Sequence, residues 1–419
     1  MSIDITGGLP ETSASGSRSH RRFSLAAHVF AASIIGILLK QLRLLSDSIG
    51  IFEIAGLIVA LYFIVTNRER PTKGDLYFGG VFLVILFSFC CGAALSFFFF
   101  REHFSVRDLM ATFYITVIVL GWLNFTEGSL LDRIELYLSW LSGYCAIIIL
   151  LGVTAYRIAP GLWYFDVYFG RFMGLSDNPN QLGSLCATGM ALVALAAQLR
   201  GRVSRLGVAR AAAISIAGLL TQSVAFIAST ALSALVVGLL YVWQATLPNS
   251  IPRRLSAFLI AAVTAAALMA LAFFAVQIVD AVIYLYSGGS GKGSVRLQFW
   301  IEAFNMALRS PIFGLGPGGH VPVDFTTELQ EAHNIFIELL VTGGLVSLLA
   351  FVMLLCAIGL PAIRYRFFAV TYALLTLILL GSFHTVLRHA HYWIAIHATL
   401  STLFLIPERS QRPRVSRPS

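Results

Sequence analysis

Long apolar runs separated by short polar segments constrain the fold of this chain more than any other feature of its sequence. A transmembrane helix needs about 17 to 25 predominantly apolar residues. Runs of this length lie near residues 23–39, 46–66, 77–99, 109–125, 134–156, 180–199, 211–228, 231–247, 255–279, 334–360, 367–383 and 391–406. The sequence therefore predicts an all-α polytopic membrane protein with about twelve transmembrane helices.

The composition agrees with a membrane protein and excludes an ordinary soluble domain. Hydrophobic residues make up 58% of the chain and charged residues 12%, against about 45–50% and about 25% in soluble domains. The formal net charge of +9 is compatible with nucleic-acid binding, but the basic residues sit in short clusters between apolar runs, as the positive-inside rule describes. We therefore predict membrane lipids, and no nucleic acid, among the partners. The five cysteines fall inside apolar runs without metal-ligand spacing, so we interpret them as buried hydrophobic residues.

The distribution of basic residues predicts the orientation of the chain. If both termini lie on one side of the membrane, 19 of the 29 lysine and arginine residues lie on that side. The positive-inside rule identifies this side as the cytoplasm. We expect a disordered cytoplasmic tail at residues 1–22, a single transmembrane domain at 23–406 and a basic cytoplasmic tail at 407–419.

One pair of runs leaves two arrangements open. Only Ala228, Ser229 and Thr230 separate the run at 211–228 from the run at 231–247. This region is therefore either two full spans or one broken, re-entrant helix.

Two outer loops, at about 157–180 and about 280–333, are long enough to carry chemistry. The first combines a cluster of aromatic residues with Arg171. We interpret the aromatic residues as anchors at the membrane surface. Arg171 is either one more interfacial residue or a receptor for a phosphate group.

The second loop contains a glycine cluster and ends in a histidine. Gly314-Leu-Gly316-Pro-Gly318-Gly319 matches the spacing of a dinucleotide-binding motif, but no strand–turn–helix unit surrounds it. We therefore interpret the cluster as a turn that returns the chain to the bilayer. His333 precedes the apolar run at 334–360 and so lies at a predicted helix N-terminus, which favours a bound anion. An ordinary cap or an interfacial histidine is the alternative.

A third group of polar residues lies near the outer end of the last span. His384, Arg388 and His391 have the spacing of one helical face. Such a face contacts either a substrate or a lipid phosphate, or its long side chains extend to the membrane interface without binding a ligand.

Several of these residues form motifs that resemble the bacterial O-antigen ligase and polymerase superfamily, whose members are polytopic membrane glycosyltransferases. The motifs are Arg296-x-x-x-Trp300, Pro311-x-x-Gly314-x-Gly316, His333-Asn334 with Gly344, Arg171-x-x-Gly174 and Asn178-Pro-Asn180. The chain departs from the family in two places. Ser347 stands where the family's Gly-x-x-Gly ends in glycine, and Ser229-Thr230 stands where relatives often carry Ser-Arg.

The resemblance implies a GT-C-like architecture and an enzyme without cofactors. It implies transfer of a glycan from an undecaprenyl diphosphate carrier to an acceptor hydroxyl, on the periplasmic face of the bacterial inner membrane. The acceptor is lipid A core in a ligase, or a growing O-antigen or exopolysaccharide in a polymerase. The His-Asn…Gly spacing favours the ligase, but no residue identifies the acceptor. Asp324, Glu328 and Glu331 lack Asp-x-Asp spacing, so we predict a metal-independent reaction.

The same resemblance assigns roles to individual residues. Arg171 and Arg296 are expected to bind the diphosphate together with Asn334, because guanidinium groups bind phosphate in bidentate fashion. His333 and Arg296 are the catalytic candidates, with His333 either a general base or a phosphate ligand. Contacts with the acceptor or with lipid are expected from four further residues, which are Asn180, Trp300, Arg388 and His391.

A transporter or lipid flippase is the alternative from another class of protein. Such a protein is expected to have two similar halves, or discontinuous helices with charged residues near the bilayer midplane. The sequence shows no internal repeat. The segment Asn67-Arg-Glu-Arg-Pro-Thr-Lys-Gly-Asp75 also lacks the Gly-x-x-x-Asp-Arg pattern of the large sugar-transporter families.

Overall fold

The computed structural model describes residues 23–36, 50–67, 69–158, 171–176, 178–246, 292–318, 333–384 and 386–410. These residues form twelve α-helices and one short 3₁₀ turn at Arg101–His103. The helices are α1 (Leu25–Gly36), α2 (Ile51–Thr66), α3 (Lys73–Phe99), α4 (Val106–Asn124), α5 (Leu130–Ile158), α6 (Pro179–Arg200), α7 (Arg205–Leu220), α8 (Val224–Thr246), α9 (Lys292–Ala307), α10 (Ile335–Arg364), α11 (Phe368–Phe383) and α12 (Ala390–Ser410).

The helical membrane architecture predicted from the apolar runs is confirmed in its main features. Within the described residues, six helices are long and apolar enough to cross a membrane, namely α3, α4, α5, α6, α8 and α10. Shorter apolar helices are α1, α2 and α11. A described helix coincides with each predicted span except the one at 255–279, which lies outside the described residues. The count of twelve spans and the GT-C-like architecture stay predictions.

Helix α6 lies at the centre of the bundle. It packs against α5, α7, α8, α11 and α12, and most of its side chains are buried. Small residues make this close packing possible, because backbones approach closely where side chains are short. At Gly189, for example, a Cβ atom would lie 2.5 Å from Leu141 of α5.

The boundary between α7 and α8 differs from the predicted one. The chain turns at residues 221–223, where Gln222 has a positive φ of 50°. Ser229 and Thr230, expected to mark the turn, lie inside α8, and their hydroxyl groups donate to the carbonyl oxygen of Phe226 at 3.1 and 2.7 Å. Hydroxyl side chains bonded in this way are tolerated within an apolar helix, so they do not mark its end.

Helix α10 is broken near Gly344, and a separate stretch of chain completes its hydrogen bonds. Gly344 has φ 61° and ψ −162°, which is not helical. The break leaves backbone N–H and C=O groups of α10 without partners inside the helix. Residues 311–316, here called the inserted segment, form hydrogen bonds with these groups. Leu315 and Gly316 donate to the carbonyl oxygens of Val341 and Thr342 at 2.7 and 2.9 Å. In return, the N–H groups of residues 345 and 346 donate to the carbonyl oxygens of residues 311 and 312 at 2.8 and 3.2 Å.

The inserted segment also contacts α3, so it lies between two long apolar helices. Ser88 donates to the carbonyl oxygen of Gly343, and Ser96 donates to that of Leu315 at 2.5 Å. At Gly316, which has φ 78°, a Cβ atom would lie 2.5 Å from the backbone nitrogen of Ala93. Every backbone polar group in an apolar environment needs a partner, and these contacts supply several of them.

The arrangement changes the interpretation of the loop predicted at 280–333. Residues 292–307 form α9, which packs along the start of α10. Gly344 lies about ten residues into α10, which at 1.5 Å per residue is about 15 Å from the helix start. Described residues 308–316 therefore reach well inside the bundle. The glycine cluster does form turns, but it also allows direct backbone contact with α3 and α10.

Candidate functional site

Arg171 is held in a fixed position at the N-terminal end of α6. Its Nε donates to the carbonyl oxygen of Thr221 at 2.9 Å, and its Nη2 donates to Oδ1 of Asn180 at 2.9 Å. Thr221 is the residue that follows α7, so its carbonyl group lies at the negative end of the helix dipole. These contacts fix the plane of the guanidinium group, which is a prerequisite for bidentate recognition of phosphate.

The two asparagines of the motif Asn178-Pro-Asn180 form different contacts. The side chain of Asn178 accepts a hydrogen bond from the backbone N–H of Asn180 at 2.8 Å and caps α6. The side chain of Asn180 instead accepts from Arg171. Asn180 therefore holds the guanidinium group of Arg171, and its predicted contact with acceptor or lipid stays a prediction.

His333 has a strained backbone immediately before α10. Its φ is 50°, a region that residues other than glycine seldom occupy. Asn334 caps the helix, because its Oδ1 accepts from the N–H groups of Phe336 and Ile337 at 3.0 and 3.3 Å. The Oδ1 atom of Asn334 is thereby engaged with the helix, although we predicted that this residue binds diphosphate. Strained residues are concentrated at functional sites, and His333 fits that description.

A row of histidine rings connects His333 with α6. The ring of His333 stacks on His384 at 6.2 Å between centroids, and His384 lies 5.4 Å from His389. His389 in turn stacks on His391 at 5.0 Å. Nε2 of His391 lies 3.3 Å from Oγ of Ser184, one helical turn along α6 from Asn180. The row therefore places His333 and Arg171 at the same end of the bundle.

The predicted single face of His384, Arg388 and His391 is wrong. Helix α12 begins at Ala390, so His384 and Arg388 precede it in the connection from α11. The side chains also diverge, because His391 contacts α6 whereas Arg388 forms an ion pair with Asp108 of α4 at 2.8 Å. The helical spacing failed here because described residues 386–389, which precede α12, form a turn and not a helix.

Two further predicted residues lie on α9. Trp300 is half-buried and packs against the small buried cluster that Ala303 and Ala307 of α9 form with Val341 of α10. Its described contacts are those of a packing residue, and its predicted role as an acceptor contact stays a prediction. Arg296 precedes it by one turn, but its side chain lies outside the described part of the structure. The aromatic residues at 163–169 also lie outside it.

The structure thus joins Arg171 to Asn180 and links His391 to His333 through the histidine row, and it adds residues that the sequence analysis missed. His389 completes the histidine row, and Asp108 pairs with Arg388. Glu338, five residues after His333 in the sequence, is only 2% exposed in the first turn of α10. A signal for Glu338 existed, since an ionisable residue within an apolar run is by default a functional candidate.

The described side chains offer no group of three or more histidine, cysteine, aspartate or glutamate residues placed to hold a metal ion. The rings of the histidine row follow one another in a line, so their nitrogen atoms do not surround a common point. What the arrangement offers chemically is a fixed guanidinium group, several imidazole rings and hydrogen-bonding side chains at one end of the bundle.

Comparison with known proteins relates part of the chain to a known family. Residues 209–352 match the model of a family described as O-antigen ligase. Among curated proteins, no sequence matches this chain. The matched residues include Arg296, His333 and the inserted segment, whereas Arg171, Asn180 and the α12 residues lie outside them. This match confirms, over residues 209–352, the resemblance to the O-antigen ligase and polymerase superfamily that the sequence motifs indicate.

Proposed function

We propose that this protein is a bacterial inner-membrane glycosyltransferase that transfers a glycan from undecaprenyl diphosphate to an acceptor hydroxyl on the periplasmic side. The proposed acceptor is lipid A core, which makes the protein an O-antigen ligase. The family match supports this class of reaction. The observation that carries the proposal is the fixed guanidinium group of Arg171 at the same end of the bundle as the strained His333.

The chemistry requires stabilisation of a leaving diphosphate. As the bond between the anomeric carbon and the phosphate oxygen breaks, negative charge develops on the diphosphate. A preorganised guanidinium group stabilises this charge without reorganisation during the reaction. Arg171 fits this role by its contacts, and Arg296 joins it in the proposal through its family motif.

The acceptor hydroxyl must lose a proton as its oxygen bonds to the anomeric carbon. Histidine has an unperturbed pKa of about 6.5, so a neutral imidazole is available near neutral pH. We assign this general-base role to His333. A charged His333 that binds the diphosphate is the alternative. In the proposal, Asn334 holds His333 at the helix start and adds an amide donor toward the diphosphate.

Deletion of the gene in a bacterium that carries it tests the function. The strain is complemented with wild type, Arg171→Ala, Arg296→Ala or His333→Ala, and its lipopolysaccharide and secreted polysaccharide are separated on gels. We expect loss of every O-antigen band and accumulation of lipid-linked glycan in the deletion strain. We expect at most about 1% of wild-type ligation from each variant, as for loss of a catalytic base or charge clamp.

Other outcomes have defined meanings. A core carrying a single repeat unit, or loss of secreted polymer alone, identifies an O-antigen or exopolysaccharide polymerase instead of a ligase. Full complementation by all three variants at normal protein levels would contradict the proposed site and favour a transporter or flippase.

A further inference from the structure

Three of the described helices begin with the same motif, a serine or threonine followed three residues later by an aspartate. The aspartates are Asp75 of α3, Asp108 of α4 and Asp132 of α5, each at the third position of its helix. In a capping box, the carboxylate at this position accepts from the backbone N–H of the capping residue. Asp75 and Asp132 do so, with Thr72 and Ser129 as donors at 2.8 and 2.9 Å. These two carboxylates therefore stabilise their own helices.

The carboxylate of Asp108 has a distant partner instead. The backbone N–H of Asp108 donates to Oγ of Ser105 at 3.3 Å, but its carboxylate pairs with Arg388, in the turn before α12, at 2.8 Å. Gly318 packs against this carboxylate, because an added Cβ atom would lie 2.4 Å from Oδ2 of Asp108. The side chain of Asp108 is 8% exposed, and low exposure to water strengthens the attraction between the charges. The carboxylate therefore holds the turn before α12 against α4.

The turn that Arg388 anchors also carries His389 of the histidine row. The backbone N–H of His389 donates to the carbonyl oxygen of Val386 at 2.9 Å, which closes the turn. Trp393 of α12 contacts the same turn, since its Nε1 donates to the carbonyl oxygen of Leu387 at 3.0 Å. The ion pair thus joins the turn to α4, and the tryptophan joins it to α12. The position of the His389 ring therefore depends on both helices.

The His389 ring lies inside the histidine row and not at its end. Its centroid is 5.4 Å from that of His384 and 5.0 Å from that of His391. His384 in turn stacks on His333. A displaced His389 ring would remove one neighbour of His384, so a change at the turn extends along the row. These contacts connect the ion pair of Asp108 with His333.

We propose that Asp108 and Arg388 are positioning residues, which place the histidine row and, through it, His333 for the transfer reaction. Neither side chain contacts substrate in this role. Arg388 thereby receives a function other than the acceptor or lipid contact expected from the sequence. The inference rests on the proposed function, because it concerns the placement of the proposed base.

Chemical modification of the histidines tests the positioning without turnover. The full chain is purified in detergent and treated with diethylpyrocarbonate, which acylates accessible neutral imidazole rings, and each histidine is followed by mass spectrometry. We expect Asp108→Asn to speed modification of His389 about fivefold or more, because loss of the ion pair releases the turn. His28, which accepts from Trp140 of α5, should keep its rate, since the change is local.

The chain offers a matched control for this substitution. Asp132→Asn changes the aspartate at the same helix position of α5, where its partner is Ser129, and it should leave His389 unchanged. Asp108→Asn is milder than removal of the arginine, because Arg388 is 29% exposed and can bind water once its partner is neutral. Arg388→Lys keeps the charge, so modification of His389 should stay within about twofold of wild type.

Transfer kinetics separate positioning from substrate binding. The full chain is assayed with lipid-linked glycan and core lipopolysaccharide, both extracted from the deletion strain. We expect Asp108→Asn to lower kcat about tenfold and to change KM for either substrate less than about twofold, because a misplaced base weakens the transition state and not substrate binding. Asp132→Asn should change none of these constants.

The two experiments separate failure of this inference from failure of the proposed function. Unchanged modification of His389 in Asp108→Asn overturns the inference, and so does an unchanged kcat despite faster modification. A higher KM at unchanged kcat would identify a substrate contact and also overturn it. If wild type transfers nothing, the proposed function fails, and the modification rates alone decide whether the ion pair positions the row. If Asp108→Asn does not fold, the double variant Asp108→Asn with Arg388→Gln replaces it, with the same expected results.

Discussion

At the scale of single residues, the candidate site depends on side chains that hold other side chains. Arg171 is fixed by Asn180 and by the carbonyl group of Thr221, and His333 is fixed by a helix that Asn334 caps. Neither Asn180 nor Asn334 needs to contact substrate for its loss to affect the reaction. The contribution of each asparagine to stability can therefore be separated from its contribution to the reaction by measuring thermal unfolding and catalysis independently.

The two asparagines of the Asn178-Pro-Asn180 motif are expected to respond differently to substitution by alanine. Asn178→Ala removes a helix cap, which costs about 1 kcal/mol of stability, so its thermal midpoint should fall while the donor KM stays unchanged. Asn180→Ala releases the guanidinium group of Arg171, so its donor KM should rise about tenfold while its midpoint changes little. Thermal unfolding in detergent and donor titration measure both quantities. Matching effects of the two substitutions would contradict the division of roles.

The sequence indicated some of these residues because their chemistry is visible in a motif. Arg171 and His333 could be selected as a cation and an imidazole next to predicted helix ends. The role of Asn180 could not, because it depends on a contact nine residues away that the sequence does not display. Glu338 was counted as part of an apolar run, so its burial beside a cavity emerged only from the packing of α3, α4 and α10.

At the scale of elements, the broken helix α10 and the inserted segment form one unit. Four backbone hydrogen bonds join them, and each replaces a bond that the break removes or supplies a partner to the inserted chain. Ser347 adds side-chain hydrogen bonds at the break, since its Oγ donates to the carbonyl oxygens of Leu339 and Gly344 at 2.7 and 3.2 Å. The serine that departs from the family's glycine thus has a structural use in this chain.

Substitution of Gly344 should disrupt this unit. A Cβ atom there would lie 2.3 Å from backbone atoms of Ile312, and the φ of 61° disfavours any other residue. We expect Gly344→Ala to lower stability by about 3 kcal/mol through overpacking and strain. Gly80→Ala is the control, because no atom lies within 4 Å of its added Cβ, and alanine is the better helix former. Thermal midpoints in detergent compare the two variants, and equal midpoints would exclude the inserted arrangement.

Sequence patterns predicted the helices more reliably than this unit. Apolar length identifies a span because lipid requires an apolar surface of fixed thickness. The same pattern describes 334–360 as one continuous helix, since the break changes backbone bonding without changing hydropathy. The turn at residues 221–223 was displaced for a related reason, because hydroxyl side chains at Ser229 and Thr230 bond within the helix.

At the scale of the whole molecule, polar networks lie at both ends of an apolar bundle. At the end opposite the candidate site, His397 of α12 lies 2.7 Å from Asp75 of α3 and accepts from Trp122 of α4 at 3.1 Å. Arg200 of α6 pairs with Glu135 of α5 at the same end. These contacts join α3, α4 and α12 in one network and pair α5 with α6, away from the candidate site. The cytoplasmic location predicted for this side from the basic residues stays a prediction.

The measurement that tests the central claim most directly is donor consumption by the purified full chain. Lipid-linked glycan and core lipopolysaccharide are supplied without nucleotide sugar, and released undecaprenyl diphosphate is quantified for wild type, Arg171→Lys and the exposed control Arg202→Lys. Lysine keeps the charge but not the planar fork that bonds Thr221 and Asn180. We predict release by wild type and Arg202→Lys, and at least tenfold lower kcat/KM for Arg171→Lys. Intact donor with wild type, or full activity of Arg171→Lys, would contradict the account.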